Sequence, residues 1–194
     1  MNNNTFGMDK LFPCKVIYKD FKVPNHNTLT DLSKQLVDQY DDRPFYSACR
    51  STVKTKSDIL EMPEFLEIQD QIMSVISAYV SEHKIDINRL TLTESWLNHY
   101  DVHGYQDLHH HPNSVLSGVY YIKSAGNKDF CFQAPWYFYQ GIVAKHIEKN
   151  LENAHSIEYA SREGRCLVWM SHLMHRTYPA TQERISISFN VTYT

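Results

Sequence analysis

Apolar positions along the chain change period near residue 89. Ahead of that point they recur at helical spacing. Thr28 opens a segment whose apolar stripe is Leu29, Leu32, Leu36 and Tyr40, with Asp31 three positions on in a weak capping-box arrangement. Pro63 stands where a first helical residue is favoured, and Phe65, Ile68, Ile72, Val75, Ile76 and Tyr79 then share one face. The spacing predicts two helices, the second laid against the back of a sheet. Cys14–Phe21 reads as a strand before them, and residues 41–62 as irregular.

Beyond residue 89 the period is two. Leu90–His99, Gln106–His111, Val115–Lys123, Asp129–Gln133, Gly164–Met170 and Arg184–Thr192 read as strands. The segment 137–163 leaves two readings open, a short helix over Gly141–Leu151 or an insertion shaping a site mouth. Many strands behind two helices predict a mainly β fold with flanking helices, a sandwich or jelly-roll barrel. No repeat or linker divides it, so residues 1–194 form one domain. Its parts are a loose polar arm at 1–10, a strand with supporting helices at 11–88 and a jelly-roll core at 89–194.

The strand pattern gives the histidines their meaning. His109 and His111 stand at i and i+2 of a strand, so their rings share a side and His110 turns away. A second pair, His172 and His175, lies far along the chain. Either could close a metal site; His175 is favoured by its distance from Arg184. Imidazole suits iron, zinc, copper and nickel, so ligand type alone does not select the metal. On the last strand Arg184, Ser186, Ser188 and Asn190 share one face, and Ile185, Ile187 and Phe189 the other. In a barrel the polar face looks into the lumen, where Arg184 would be a costly charge unless it met an anion. A dicarboxylate held by the metal at one end and by Arg184 at the other meets that need, with the Ser186 hydroxyl on the same carboxylate.

Composition narrows the partners. Aromatics are 13% of the chain, with 13 Tyr and 9 Phe, which favours a β-rich core. A formal charge of −3 offers no footprint for nucleic acid or an anionic membrane. No apolar run reaches transmembrane length and Met1–Gly7 is polar, so a cytoplasmic protein is expected. Cys14, Cys49, Cys131 and Cys166 lack metal-knuckle spacing and are expected as reduced, mostly buried thiols.

Four pieces of sequence together resemble the Fe(II)- and 2-oxoglutarate-dependent oxygenases, in particular an uncharacterised bacterial and phage branch. They are Trp96-x-Asn98, His109-x-His111-Pro112-Asn113-Ser114, Ser117-Gly118-Val119-Tyr120-Tyr121 and Arg184-Ile185-Ser186-Ile187-Ser188-Phe189-Asn190. The resemblance spans roughly residues 90–192, with a weaker match in the leading helices. It implies a double-stranded β-helix (a cupin-like jelly roll) using Fe(II), 2-oxoglutarate and O₂ to hydroxylate a C–H bond, with succinate and CO₂ as by-products. The metal ligands it implies are His109, His111 and His175, with no catalytic residue beyond the metal centre. The wider superfamily uses a His-x-Asp/Glu…His triad, and His111 stands where the carboxylate is usual. An Asp107-x-His109 arrangement is the alternative. The resemblance further implies that Arg184 and Ser186 grip the distal carboxylate. Tyr121 takes the place of a co-substrate-binding tyrosine, and Asn98 stands ready to hydrogen-bond co-substrate or substrate.

Two other readings compete. A cupin-type dioxygenase or isomerase without 2-oxoglutarate shares the barrel and the His-x-His pair. It usually places a glutamate ligand a few residues on, where this chain has Val115 and Leu116. A binding module with incidental histidines predicts a solvent-facing Arg184. A halogenase is disfavoured because His111 does not vacate a ligand position. The substrate stays open, a small molecule or a peptide side chain. Trp136–Tyr139 reads either as an apolar lip over the site or as a packed loop, and a homodimer built on the helical side fits the pattern.

Overall fold

The computed structural model describes residues 11–42, 47–139 and 141–193. The arm expected at residues 1–10 lies outside the described residues. In chain order the elements are β1 (Val16–Asp20), α1 (His26–Tyr40), β2 (Arg50–Ser51), α2 (Leu66–His83) and β3 (Leu90–Tyr100). β4 (Gln106–His109), β5 (Leu116–Lys123), β6 (Lys128–Gln133), β7 (Ser156–Ala160), β8 (Arg165–Met170), β9 (His175–Thr177) and β10 (Arg184–Tyr193) complete the chain. One sheet runs β1-β8-β5-β10-β3-β2 and the other β4-β9-β6-β7, with every named pairing antiparallel. From β3 to β10 the chain changes sheet at each step except the β6–β7 connection. That alternation makes a jelly roll, the double-stranded β-helix.

The period-two reading locates the two sides of the larger sheet. Ile185, Ile187, Phe189 and Val191 of β10 enter a core with Phe65, Ile68, Ile72, Val75, Ile76 and Tyr79. α2 covers β8 and β1, while α1 covers β3 and β5. Tyr120 faces this outer layer and its hydroxyl donates to Gln71 Oε1 at 2.7 Å. Between the sheets lies a second core of Val119, Tyr121, Phe130, Phe132, Leu167, Trp169 and Leu173. Adjacent residues of β5 thus serve opposite layers, as strand geometry requires.

Several expectations need correction. α1 begins at His26, and Asn25 ahead of it sits in the left-handed region (φ 40°) without a side-chain cap bond, so Thr28 and Asp31 form no capping box. Pro63 opens a 3₁₀ turn, Pro63–Phe65, and the α-helix proper follows at Leu66. No helix forms over 141–151, and a 3₁₀ turn at Tyr137–Tyr139 is the one helical piece of the β6–β7 connection among the described residues. The three-residue β9 and the strand β7 had no clear periodic signal. Strands this short depend on their sheet partners more than on their own sequence. Gly118 is required by crowding: a Cβ there would lie 2.7 Å from the Leu167 carbonyl oxygen and collide with the Phe189 ring. Among the described residues no helix is long and apolar enough to cross a membrane, and Cys14 (exposed), Cys49, Cys131 and Cys166 (buried) are free thiols.

Candidate active site

His109 ends β4 and pairs in register with His175, the first residue of β9. His111 lies two residues past the strand end, correcting the expected strand boundary. Its backbone N–H donates to the Ser171 carbonyl at 3.0 Å, which keeps the chain against the sheet. The three rings converge, with centroids 5.3 Å (His109–His111), 4.4 Å (His109–His175) and 5.1 Å (His111–His175) apart. Their ligand atoms lie within 4.8 Å of one another. His110 and His172 are exposed, outside this cluster, and Asp107 is exposed as well.

The tautomers follow from the partners, because a carbonyl oxygen can only accept. Nδ1–H of His109 donates to the Asp107 carbonyl at 2.7 Å, and Nδ1–H of His175 to the Leu173 carbonyl at 2.9 Å. For His111 the acceptor is Asn190 Oδ1, 2.6 Å away. The amide is oriented from behind: Asn190 Nδ2 donates to Glu94 Oε2 at 2.8 Å, and Ser117 Oγ donates to Asn190 Oδ1 at 2.8 Å. Each ring therefore offers its Nε2 lone pair inward, the arrangement that metal-ligating histidines need. Burial favours the neutral rings. It lowers His109 to about 4 and lowers His111. His175 falls well below the usual range through burial and then the proximity of His109 and His111.

The same cavity is lined by Trp96, Tyr100, Tyr121, Arg184, Ser186 and Ser188 beside the three histidines. The polar face of β10 thus looks inward, as the barrel reading requires. Arg184 is 1% exposed. Its Nη1 donates to Asp129 Oδ2 in a buried ion pair, and its guanidinium carbon sits 4.0 Å from the Tyr100 ring centroid. Nε and Nη2, the guanidinium edge with two parallel N–H bonds, are buried without a partner, and so is the Tyr121 hydroxyl. Burial pushes the Tyr121 phenol upward, so it stays a neutral donor. Two N–H donors and an O–H with nothing to bind are a set that fits a carboxylate.

Asn98 is engaged elsewhere. Ser51 Oγ donates to its Oδ1 at 2.9 Å, and its Nδ2 donates to Ser188 Oγ at 3.0 Å, so it ties β2 to β10 beneath the cavity wall. Sequence reasoning missed Asp129 and the Glu94–Asn190 support. By alternation with Phe130 and Phe132, Asp129 should face outward. The lone signal for it was the counter-charge that a buried Arg184 demands.

The chain matches the model of the family described as "Putative 2OG-Fe(II) oxygenase" over residues 94–190. Solved structures share the fold. A prolyl-4-hydroxylase from Pseudomonas putida matches with TM-score 0.60 at 10% identity, over 92% of each chain. HygX from Streptomyces hygroscopicus, solved with nickel and 2-oxoglutarate, matches with TM-score 0.61 at 12% identity, over 92% of this chain and 83% of its own. A Trichoplax adhaerens prolyl hydroxylase in complex with a hypoxia inducible factor peptide matches with TM-score 0.62 at 11% identity, again over 92% and 83%. No curated protein sequence matches the chain.

Proposed function

Because the chain belongs to the 2OG-Fe(II) oxygenase family, an enzyme class using Fe(II), 2-oxoglutarate and O₂, we propose that it is a hydroxylase with an all-histidine iron site. His109, His111 and His175 would hold Fe(II) through Nε2, and Asp107 would take no part. Bound iron with 2-oxoglutarate and O₂ supplies the oxidising power, through decarboxylation of the co-substrate to succinate and CO₂. Arg184 would take the distal carboxylate on its Nε–Nη2 edge, Tyr121 would donate its hydroxyl to the same group, and Ser186 lines the wall beside them. Asn98 keeps a supporting role, since Ser51 and Ser188 already occupy its amide.

The observation that carries this reading is the pairing, in one cavity, of three inward lone pairs with an unsatisfied guanidinium edge. Three neutral imidazoles leave the metal charge at +2, so the dianionic co-substrate becomes the main source of neutralisation at the centre. The cavity has a volume of about 30 Å³. The half-exposed Trp136 and Tyr137 stand on the β6–β7 connection, tied to the metal end through Gln133 N–H, which donates to the Met174 carbonyl at 2.9 Å. They suit a substrate with an apolar portion, a small molecule or a peptide side chain. A cytoplasmic setting and a homodimer built on the helical side complete the proposal.

Anaerobic titration of the Fe(II)-loaded protein with 2-oxoglutarate tests it. A saturable visible charge-transfer band is expected, absent in His175→Ala. Stoichiometric iron retained by His175→Ala, or no band despite bound iron, would overturn the reading.

A further inference from the structure

Asp129 is aimed at Arg184 by an irregularity in its strand. β6 pairs with β7 as Lys128↔Ala160 and then Phe130↔Tyr159, so Asp129 is the extra residue of a β-bulge. Without the bulge, alternation with the inward Phe130 and Phe132 would point Asp129 to the outer face beside Cys131. With it, Lys128 is exposed while Asp129 is buried and reaches the guanidinium. The result is a buried ion pair behind the cavity-lining Arg184. It uses one nitrogen of Arg184, Nη1, and leaves the side-on edge for a ligand.

We propose that Asp129 is a resident counter-ion that limits the co-substrate affinity of Arg184. This rests on the reading that Arg184 takes the distal carboxylate of 2-oxoglutarate. Two effects of Asp129 oppose each other. It orients the guanidinium, which favours binding, and it places a fixed negative charge on the group that the incoming carboxylate shares, which disfavours binding. Orientation has other support, since the Tyr100 ring holds the guanidinium plane and burial restricts the rest. Repulsion between two carboxylates around one guanidinium has no such substitute in a water-poor site. The charge effect therefore wins. Asp129 keeps a buried Arg184 paired when the co-substrate is absent, and occupancy then follows 2-oxoglutarate concentration.

Asp129→Asn separates the two effects, because its carbonyl oxygen still accepts from Nη1 while the charge is gone. The Fe(II)-loaded variant should bind 2-oxoglutarate about tenfold tighter in the anaerobic titration. Its affinity for 2-oxopentanoate, which lacks the distal carboxylate, should stay within about twofold of the parent protein. Without ligand the variant should melt lower, and 2-oxoglutarate should raise its Tm by more than it raises the parent's. Unchanged or weaker 2-oxoglutarate binding would overturn the proposal, as would equal tightening for both oxo acids. If the variant does not fold, the parent protein still decides. A preference for 2-oxoglutarate over 2-oxopentanoate under about tenfold supports a neutralised arginine, and one above about a hundredfold overturns it. Arg184→Gln locates any failure: if that change leaves 2-oxoglutarate affinity intact, the assignment of Arg184 has failed rather than that of Asp129.

Discussion

His111 Nδ1 and Asn190 Oδ1 meet at 2.6 Å across 79 residues of sequence. The contact ties the least regular of the three histidines, which lies past the end of β4, to the middle of a buried strand. Glu94 holds the other end of the amide, so Asn190 cannot turn its NH₂ toward the ring without losing a charge-assisted bond. Behind one imidazole of the three-histidine cluster, this chain places negative charge one residue away.

Asn190→Ala should therefore loosen the metal more than the fold. Loss of such a supporting partner lowers metal affinity by about 10–100-fold. The lower part of that range is expected here, because Ser117 Oγ remains 3.1 Å from His111 Nδ1. A chelator competition for Fe(II), read beside the metal-free Tm, checks this. A large drop in Tm with unchanged metal affinity would reassign Asn190 to stability alone.

The parity of β10 was legible because it is long and one face is all apolar. Ile185, Ile187 and Phe189 fixed which side met the helices, and Arg184 had to face the lumen. The co-facing of His109 and His111 was legible from their i, i+2 spacing, although β4 is only four residues long and His111 lies beyond it. β7 and β9 were not, since a three-residue strand such as His175–Thr177 carries too little alternation to detect. Asp129 was hidden by the bulge, which inverts the facing that period two assigns. The two bonds of Asn98 were not legible, because Ser51 and Ser188 are distant from it in sequence.

His110 and His172 should be dispensable for the metal. Both are exposed and outside the cluster. Single changes to Ala should leave Fe(II) stoichiometry at the parent value and move stability by less than about 0.5 kcal/mol. Elemental analysis after gel filtration reads the outcome. Loss of iron in His110→Ala would mean that the rings exchange places on metal binding.

Gly118→Ala should destabilise the protein through crowding, since the new methyl would meet the Leu167 carbonyl at 2.7 Å and the Phe189 ring. Overpacking of this kind costs about 1–3 kcal/mol. For a domain of this size that is a Tm lowered by roughly 2–12 °C. Calorimetry of the metal-free protein checks it. Because the methyl points to the Phe189 side of the sheet, away from the layer of Val119 and Tyr121, 2-oxoglutarate affinity should change less than the Tm.

Acid should act first through the buried histidines, the three of the site together with His99, which burial also lowers. Burial lowers His109 from 6.5 to about 4, and His111 and His175 shift in the same direction. As pH falls, the unfolded chain takes up these protons near 6.5, whereas folded His109 resists until about 4. The unfolded state then binds more protons, so metal-free stability falls with pH across that window and is fully present above it. Bound metal competes for the same Nε2 lone pairs and can only deepen the resistance to protonation. The metal-free Tm should therefore decline between pH 6.5 and 4. The Fe(II)-loaded protein, held anaerobically, should keep a flatter profile until the metal is released. His109→Gln should flatten the metal-free curve by removing one of these titrations. A metal-free profile already flat between pH 6.5 and 4 would mean that these rings are not held neutral, and that their inward lone pairs are not preformed.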